Sequence, residues 1–394
     1  MELIEGVVRH YDWGSLTAIP ELLGRPATGE PWAELWLGAH PAAPALVGAR
    51  AEPLDRLIAA DPAAALGPAV ASRYGRLPFL LKVLAAAEPL SLQAHPSASD
   101  AEAGFEREEA MGIPRDGPRR MFRDRSAKPE LVCALSPFEA LCGFRDPRRT
   151  AALLDTLDTP GLDPLRRRLG ALAGSQMRDL LRWLLGLDRS AAAELAESAT
   201  EACGASDADD EWSGLRAAVA ALGTRHRGDA AVVAALLLNH VVLAPGEALF
   251  LDAGCLHAHL GGTAVELMAD SDNVVRAGLT SKHIDRAALI EIVDGAPSGA
   301  PAQHPEPADG AVTYGPPVPE FCLRRLEVDG SSSAGPGPAV LLCAEGCVEA
   351  NGVTLDRGAA AWAGALEPQV EFEGRGTVFC ATVGNQQASG NRLP

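Results

Sequence analysis

The sequence lacks a cysteine framework, a long hydrophobic run and an excess of basic residues. Its eight cysteines form no Cys-x-x-Cys pair, which argues against a disulfide scaffold or a thiolate zinc site. Lys and Arg number 34 against 52 Asp and Glu, and the net charge of −18 disfavours nucleic acid and anionic membranes as partners. The apolar run at 230–238 is too short to cross a membrane, and the N-terminus has no signal-peptide pattern. We therefore expect a cytoplasmic protein that binds neither nucleic acid nor membrane.

The pattern of residues changes along the chain, and the length of 394 residues predicts two or three domains. Residues 1–145 contain short apolar runs typical of buried strands, whereas residues 146–232 carry Ala, Leu and Arg at helical spacing. Strand patterns return in 233–300, where Pro245-Gly246 predicts the turn of a β-hairpin that leads into His257. After a Pro-rich linker at 300–310, residues 311–388 predict a small β-barrel. We expect a mainly β protein with a helical insert.

Three short stretches hold metal-capable side chains at the two-residue spacing that places them on one face of a strand. One amide, one carboxylate and two imidazoles among them can converge on a single ion, and zinc accepts nitrogen and oxygen ligands. The stretches contain Ser91, Gln93 and His95, then Lys128 and Glu130, then His257 and His259. The sequence therefore predicts a metal site whose ligands are Gln93, His95, Glu130 and His257.

The segment at 261–282 is dense in polar residues for a region flanked by strands, which favours a lined pocket. Glu266 is a candidate acid or base, and Asp272 is a candidate orienting group. Arg276 and Lys282 are candidates for holding an anionic substrate, because guanidinium and ammonium groups are the usual partners of phosphate. A salt-bridged surface loop would contain the same residue types, so the residues alone leave both interpretations open.

Six short motifs are spread nearly end to end along the chain. They are YDWGS at 11–15, AELWLGAHP at 33–41, FLLKVL at 79–84, PLSLQAHP at 89–96, KPE at 128–130 and ADSDNVVRAGLT at 269–280. With these motifs the sequence resembles type I mannose-6-phosphate isomerase, a zinc-dependent cupin family. The resemblance implies a cupin (jelly-roll) catalytic barrel, an inserted α-helical domain and a C-terminal cupin-like barrel without a metal site.

The resemblance also implies roles for individual residues. It implies one Zn²⁺ per chain on Gln93, His95, Glu130 and His257, the four ligands that strand spacing selects. Arg276 is implied to be catalytic, with Glu266, our first choice for the base, and Lys282 as further catalytic candidates. The implied substrate-binding residues are Ser91, Lys128, Asp272, Lys82 and Trp13. His259 stands where the family usually has Tyr, and an imidazole there could alter substrate affinity or add a ligand to the metal.

The reaction implied by the resemblance is the interconversion of mannose 6-phosphate and fructose 6-phosphate through a cis-enediol, which feeds mannose metabolism and GDP-mannose supply. We expect a monomer that acts on a small phosphosugar. Two other classes remain open: a non-catalytic metal-binding cupin, which would tolerate loss of Arg276 and Lys282, and an iron dioxygenase, which typically uses two His and one carboxylate. Gln93 and the two basic residues favour the isomerase.

Overall fold

The computed structural model describes residues 1–172, 177–299, 302–303 and 310–384. Most of the linker predicted at 300–310, and the end of the last predicted domain, therefore lie outside the described residues. Two large β-sheets and a group of helices fill the described ranges. No helix in these ranges is both long and apolar enough to cross a membrane.

The strands lie towards both ends of the chain and range from two to 13 residues in length. They are β1 Glu2–Glu5, β2 Val7–Arg9, β3 Glu34–Leu37, β4 Leu46–Val47, β5 Glu52–Pro53, β6 Phe79–Ala86, β7 Leu92–Ala94, β8 Glu130–Ala134, β9 Phe138–Phe144, β10 Leu238–Leu243, β11 Ala248–Leu251, β12 His257–Ala269, β13 Val275–Gly278, β14 Ala302–Gln303, β15 Ala311–Tyr314, β16 Cys322–Ala334, β17 Ala339–Ala350, β18 Val353–Asp356, β19 Ala360–Ala363 and β20 Val370–Thr382.

The helices cluster in the middle of the chain. They are α1 Ala18–Leu22, α2 Leu54–Ala60, α3 Pro62–Leu66, α4 Pro68–Tyr74, α5 Ala98–Ala110, α6 Pro147–Thr156, α7 Asp163–Gly170, α8 Met177–Leu185, α9 Arg189–Gly204, α10 Ser213–Arg225, α11 Ala230–Ala235 and α12 Arg286–Ile292. Helices α6 to α11 lie between β9 and β10, in the region where the sequence shows helical spacing. Asp146 and Asp188 cap α6 and α9 by accepting backbone N–H bonds, which satisfies donors that a helix start leaves unpaired.

Strand β12 connects the two layers of the sheet that carries the predicted site residues. One layer has the order β14-β11-β8-β12-β6-β3-β2, and the other runs through β10, β9, β12, β7 and β13. The second half of β12 pairs with β6 and β8, whereas its first half pairs with β7 and β9. All these pairings are antiparallel, so side chains from both layers meet in one interior.

The change of layer within β12 occurs at a pair of glycines. The register with β9 shifts between His259 and Gly261, and Gly262 has a φ of +109°. A Cβ at Gly262 would lie 2.4 Å from the carbonyl oxygen of Pro137, so both the backbone conformation and the space require glycine. The bend brings His257 from one layer and Glu266 from the other into the same interior.

A buried lysine interrupts the apolar sequence of β6. Every residue of this strand is buried, as expected for a continuous apolar run that is covered on both faces. Lys82 is the charged member of the strand and is only 5% exposed. Its backbone register pairs it with Glu266 on β12 and with Trp36 on β3. The fold therefore places an ammonium group inside the sheet layers.

Asp229 ties the helical region to the segment that follows β13. Its carboxylate caps α11 by accepting from the N–H of Ala231, and it also accepts from the N–H of Leu279 at 2.7 Å. Leu279 has a φ of +56°, which is uncommon for a residue with a side chain. The helices thus help to fix the backbone that leads from Arg276 to Lys282.

The C-terminal sheet includes strands from the start of the chain. Its order is β15-β16-β20-β17-β19-β1-β4-β5, with β18 paired to β17. Residues 2–5 and 46–53 therefore join the sheet of residues 311–382 by hydrogen bonds. Ile4, Leu35 and Trp362 lie in one buried apolar cluster, so the two sheet systems share a core.

The β-hairpin predicted at Pro245-Gly246 is wrong. Strand β10 pairs with β9, whereas β11 pairs with β8 and β14. The chain does turn at Gly246, which has a φ of +87°, but the turn leads from one layer to the other. Leu243 and Leu249 belong to the same buried cluster, so the two apolar runs meet across the core and not side by side.

We predict that Gly262→Ala lowers the free energy of unfolding by about 2 kcal/mol or more, because alanine is strained at positive φ and its methyl group meets Pro137. Chemical denaturation with chelator present would measure this without a contribution from metal. Gly261→Ala is the matched control, since its added Cβ meets nothing closer than 3.9 Å. Equal stability of the two variants would contradict the role given to Gly262.

Candidate metal centre

Two imidazoles and one carboxylate converge inside the two sheet layers. The ligand atoms of His95, Glu130 and His257 all lie within 4.8 Å of one another. The Nε2 atom of His95 is 3.2 Å from Glu130 Oε1, and that of His257 is 3.6 Å from Glu130 Oε2. Both Nε2 atoms are buried without a hydrogen-bond partner among the described residues. Buried nitrogens of this kind, facing a carboxylate, fit a metal ion such as zinc.

Backbone carbonyls fix the orientation of both imidazole rings. His95 Nδ1 donates to the carbonyl oxygen of Asn273 at 2.7 Å, and His257 Nδ1 donates to that of Cys255 at 2.9 Å. Because a carbonyl oxygen can only accept, Nδ1 carries the proton in each ring and Nε2 offers its lone pair. The sequence did not identify Asn273 and Cys255 in this role, because every residue has a carbonyl and its type gives no signal.

Gln93 lies beside the three converging residues. Its backbone is in register with His257 on one side and with Arg276 on the other. Its side-chain Oε1 accepts a hydrogen bond from Ser91 Oγ at 3.0 Å, which orients the amide oxygen that would be a fourth ligand. The regular strand here covers Leu92–Ala94, so Ser91 and His95 flank it.

Lys128 contacts the metal-binding carboxylate directly. It precedes β8, which begins at Glu130, yet its Nζ lies 3.1 Å from Glu130 Oε1. Burial by itself raises the pKa of Glu130, but His95, Lys128 and His257 outweigh burial and hold this pKa well below its usual range. Glu130 is therefore an anion at neutral pH.

The second imidazole of the site is neutral at physiological pH. Burial, with a smaller contribution from the neighbouring His95, lowers the pKa of His257 to about 3. A neutral imidazole and an ionised carboxylate are the protonation states that a metal requires of its ligands. These two groups can therefore bind a metal ion without first losing protons.

A second buried carboxylate, Glu266, pairs with Lys82. The Nζ of Lys82 lies 3.0 Å from Glu266 Oε2 and 3.5 Å from Glu34 Oε1. Burial alone lowers the pKa of Lys82, but Glu266, Glu34 and Glu130 together raise it above its ordinary value. Trp36 Nε1 donates to the other oxygen of Glu34 at 2.8 Å. Lys82 therefore remains charged in the interior.

Arg276 and Lys282 lie together without acidic partners. Neither forms an ion pair with any residue in the described ranges. Burial lowers the pKa of Arg276, and the charge of Arg123 lowers it further. Partial desolvation of Lys282, with the charge of Arg276, lowers the pKa of Lys282 and outweighs the opposing charge of Glu34. Two cations without a direct ion pair in the described residues of an acidic protein indicate an anion-binding region.

Aromatic and acidic side chains surround these cations. Trp13 stacks on Tyr11 with ring centroids 5.5 Å apart, and the Tyr11 ring lies 5.6 Å from Lys282 Nζ. Asp272 Oδ1 lies 3.5 Å from Nε2 of His40, a residue to which the sequence gave no role. Burial raises the pKa of Asp272, but His40 and nearby cations outweigh it and leave this pKa lowered.

His259 lies next to the metal-binding group but outside it. Its ring centroid is 5.7 Å from that of His257 and 5.2 Å from that of Phe138. The group whose ligand atoms converge within 4.8 Å does not include it. Burial lowers the pKa of His259, and its buried Nε2 has no hydrogen-bond partner in the described structure. The structure thus does not bring this imidazole to the metal position.

We predict that Glu130→Gln weakens zinc binding by more than about 100-fold. Changing a group that only hydrogen-bonds to a metal ligand already costs about 10- to 100-fold, and this change removes the formal negative charge of the proposed ligands themselves. Competition with a fluorescent chelator and elemental analysis of purified protein would measure it. Glu139→Gln is the control, since that carboxylate contacts His240 instead. Stoichiometric, tight zinc in Glu130→Gln would exclude Glu130 as a ligand.

Comparison with known sequences gives a consistent result. The family described as phosphomannose isomerase type I, catalytic domain, matches residues 1–147. Mannose-6-phosphate isomerase of Escherichia coli strain K12 is 36% identical over 390 residues, covering 95% of this chain and 98% of that protein. The Bos taurus mannose-6-phosphate isomerase is 32% identical over 410 residues, covering 92% of each chain.

Solved structures are similar over the same extent. The apo form of mannose 6-phosphate isomerase from Salmonella typhimurium superposes with a TM-score of 0.89 at 34% identity, covering 98% of this chain and 99% of that chain. A zinc-bound crystal structure of mannose 6-phosphate isomerase gives the same TM-score, identity and coverage. The cupin-type fold predicted from the sequence motifs is confirmed. The chain belongs to the type I mannose-6-phosphate isomerase family.

Proposed function

We propose that the protein interconverts mannose 6-phosphate and fructose 6-phosphate through a cis-enediol, and so feeds mannose metabolism and GDP-mannose supply. The protein is an aldose–ketose isomerase with Zn²⁺ as its cofactor. The observation that carries the proposal is the buried group of His95, Glu130 and His257, whose two Nε2 atoms have no hydrogen-bond partner among the described residues. Gln93 is the proposed fourth ligand.

The residues that hold zinc decide where the reacting carbons lie. Bound zinc supplies Lewis-acid polarisation of the substrate's carbonyl and hydroxyl oxygens. Ser91, bonded to Gln93, is placed to contact a hydroxyl at the same end of the sugar. The stacked Trp13 offers an apolar surface for the carbon chain.

Glu266 is the proposed base that moves the proton between C1 and C2. It is 3% exposed, and a buried carboxylate near a polarised carbonyl suits proton abstraction. Lys82 donates to Glu266 Oε2, while Oε1 forms no hydrogen bond within the described residues and is available to the substrate. Lys82 thereby orients the base through this hydrogen bond.

Arg276 and Lys282 are the proposed anchors for the substrate's anionic groups. Lys128 is less available for this task, because its Nζ already contacts Glu130. Arg276 is adjacent to Gln93 in the strand register, which supports a second role for it in stabilising oxyanion charge near C1 and C2. Asp272, whose carboxylate contacts the imidazole of His40, is proposed to orient a hydroxyl of the substrate.

The proposed function is tested by coupled turnover of mannose 6-phosphate before chelation, after chelation and after zinc is returned. We expect activity to disappear on chelation and to return with zinc. Protein shown by elemental analysis to hold one zinc per chain, yet inactive on mannose 6-phosphate, would contradict the proposal.

We predict that Glu266→Gln lowers kcat by about 100- to 10,000-fold, the usual contribution of a general base, with zinc content unchanged. Incorporation of deuterium from D₂O into the sugar would separate proton transfer from other steps. Glu139→Gln should retain full activity and exchange, because Glu139 contacts His240 and lies outside the site. Undiminished deuterium exchange in Glu266→Gln would exclude Glu266 as the base.

A further inference from the structure

Arg123 lies on a short segment that is fixed against the chain leading into β13. The N–H of Arg123 donates to Asn273 Oδ1 at 2.7 Å, and the N–H of Val274 donates to the carbonyl oxygen of Met121 at 3.2 Å. The preceding Phe122 is 1% exposed and anchors the segment in the core. The backbone of Arg123 is thus held beside the strand that carries Arg276, two residues beyond Val274.

Three other arginines of this region have carboxylate partners. Arg115 pairs with Glu109, Arg120 with Glu108, and Arg125 with Glu106. The Arg123 side chain is exposed and forms no ion pair with any described residue. The charge of Arg123 does contribute to lowering the pKa of Asp272, but that carboxylate contacts His40. A guanidinium on a rigid backbone without a direct ion pair is available to a ligand.

The charge of Arg123 acts on the two cations of the pocket. After burial, the charge of Arg123 is the cause that lowers the pKa of Arg276, and it also contributes to lowering the pKa of Lys282. Three cations held close to one another repel, and a dianion between them would turn this repulsion into attraction. The backbone contacts show that the position of Arg123 beside the chain leading into β13 is built into the fold.

We propose that Arg123 is a third phosphate-binding residue, which acts with Arg276 and Lys282 to hold the substrate's phosphate. This inference rests on the proposed function, since it assigns part of the same pocket. Arg123 is exposed whereas Arg276 is half-buried, so the phosphate lies towards the mouth and the reacting carbons lie deeper, beside Gln93. Recognition of phosphate by Arg123 then distinguishes phosphorylated sugars from free sugars.

Arg123→Met removes the charge and keeps most of the side-chain length, Arg123→Lys keeps the charge, and Arg125→Met is the matched control two residues away. For zinc-loaded Arg123→Met we expect the KM for mannose 6-phosphate to rise about 10- to 100-fold, the usual effect of a lost charge-assisted hydrogen bond, with kcat within about twofold. Arg123→Lys should recover part of this loss. Arg125→Met should match the unmodified protein, because Arg125 pairs with Glu106.

Calorimetric binding of mannitol 6-phosphate, an unreactive alditol phosphate, separates this inference from the proposed function. A weaker affinity in Arg123→Met but not in Arg125→Met would support the phosphate role of Arg123. This holds even if no variant isomerised mannose 6-phosphate, and in that case only the proposed function would fail. Equal affinity of Arg123→Met and the unmodified protein, both with full zinc content, would overturn the assignment of Arg123.

Discussion

The buried charge of Glu130 is the interaction on which the metal centre depends. A carboxylate that is 3% exposed is stable as an anion only when nearby groups replace its lost hydration. Lys128 Nζ lies close to Oε1, whereas His95 and His257 turn the lone pairs of their Nε2 atoms towards the two carboxylate oxygens, so a cation held among them would complete the charge compensation. The same carboxylate therefore faces the two imidazoles and holds a lysine at the edge of the pocket. Its ionisation links the metal ligands to the substrate-binding residues.

The bend in β12 allows the groups around Glu130 to line a pocket. Without the glycine conformation at Gly262, the strand would continue in one layer and its two ends could not face one interior. With the bend, His257 joins β7 and β9, while Glu266 pairs in register with Lys82 of β6. One proposed metal ligand, His257, and the proposed base thus come from the same strand and approach the substrate position from two layers.

The sequence predicts those parts of the site that depend on side-chain chemistry and local spacing. His95, Glu130 and His257 are identified in this way, because imidazoles and carboxylates are recognisable wherever they occur. The predicted hairpin failed because strand partners are chosen by contacts between distant residues, which a turn sequence does not encode. The role of the Asn273 carbonyl cannot be predicted from the sequence, because every residue has a backbone carbonyl. Arg123 cannot be distinguished by sequence from the neighbouring arginines that form ion pairs, because only the fold shows which arginines are paired.

The count of buried charges around the pocket explains why metal and anionic substrate suit the same interior. Two ion-paired sets lie side by side in the interior, Lys82 with Glu34 and Glu266, and Lys128 with Glu130, and their formal charges sum to one negative charge. A divalent cation reverses the sign of that excess, and the cations Arg276 and Lys282 extend the positive region outwards. The protein as a whole is strongly acidic and repels anions, whereas this positive region attracts a phosphosugar. The site's selectivity for anions is therefore coupled to its occupancy by metal.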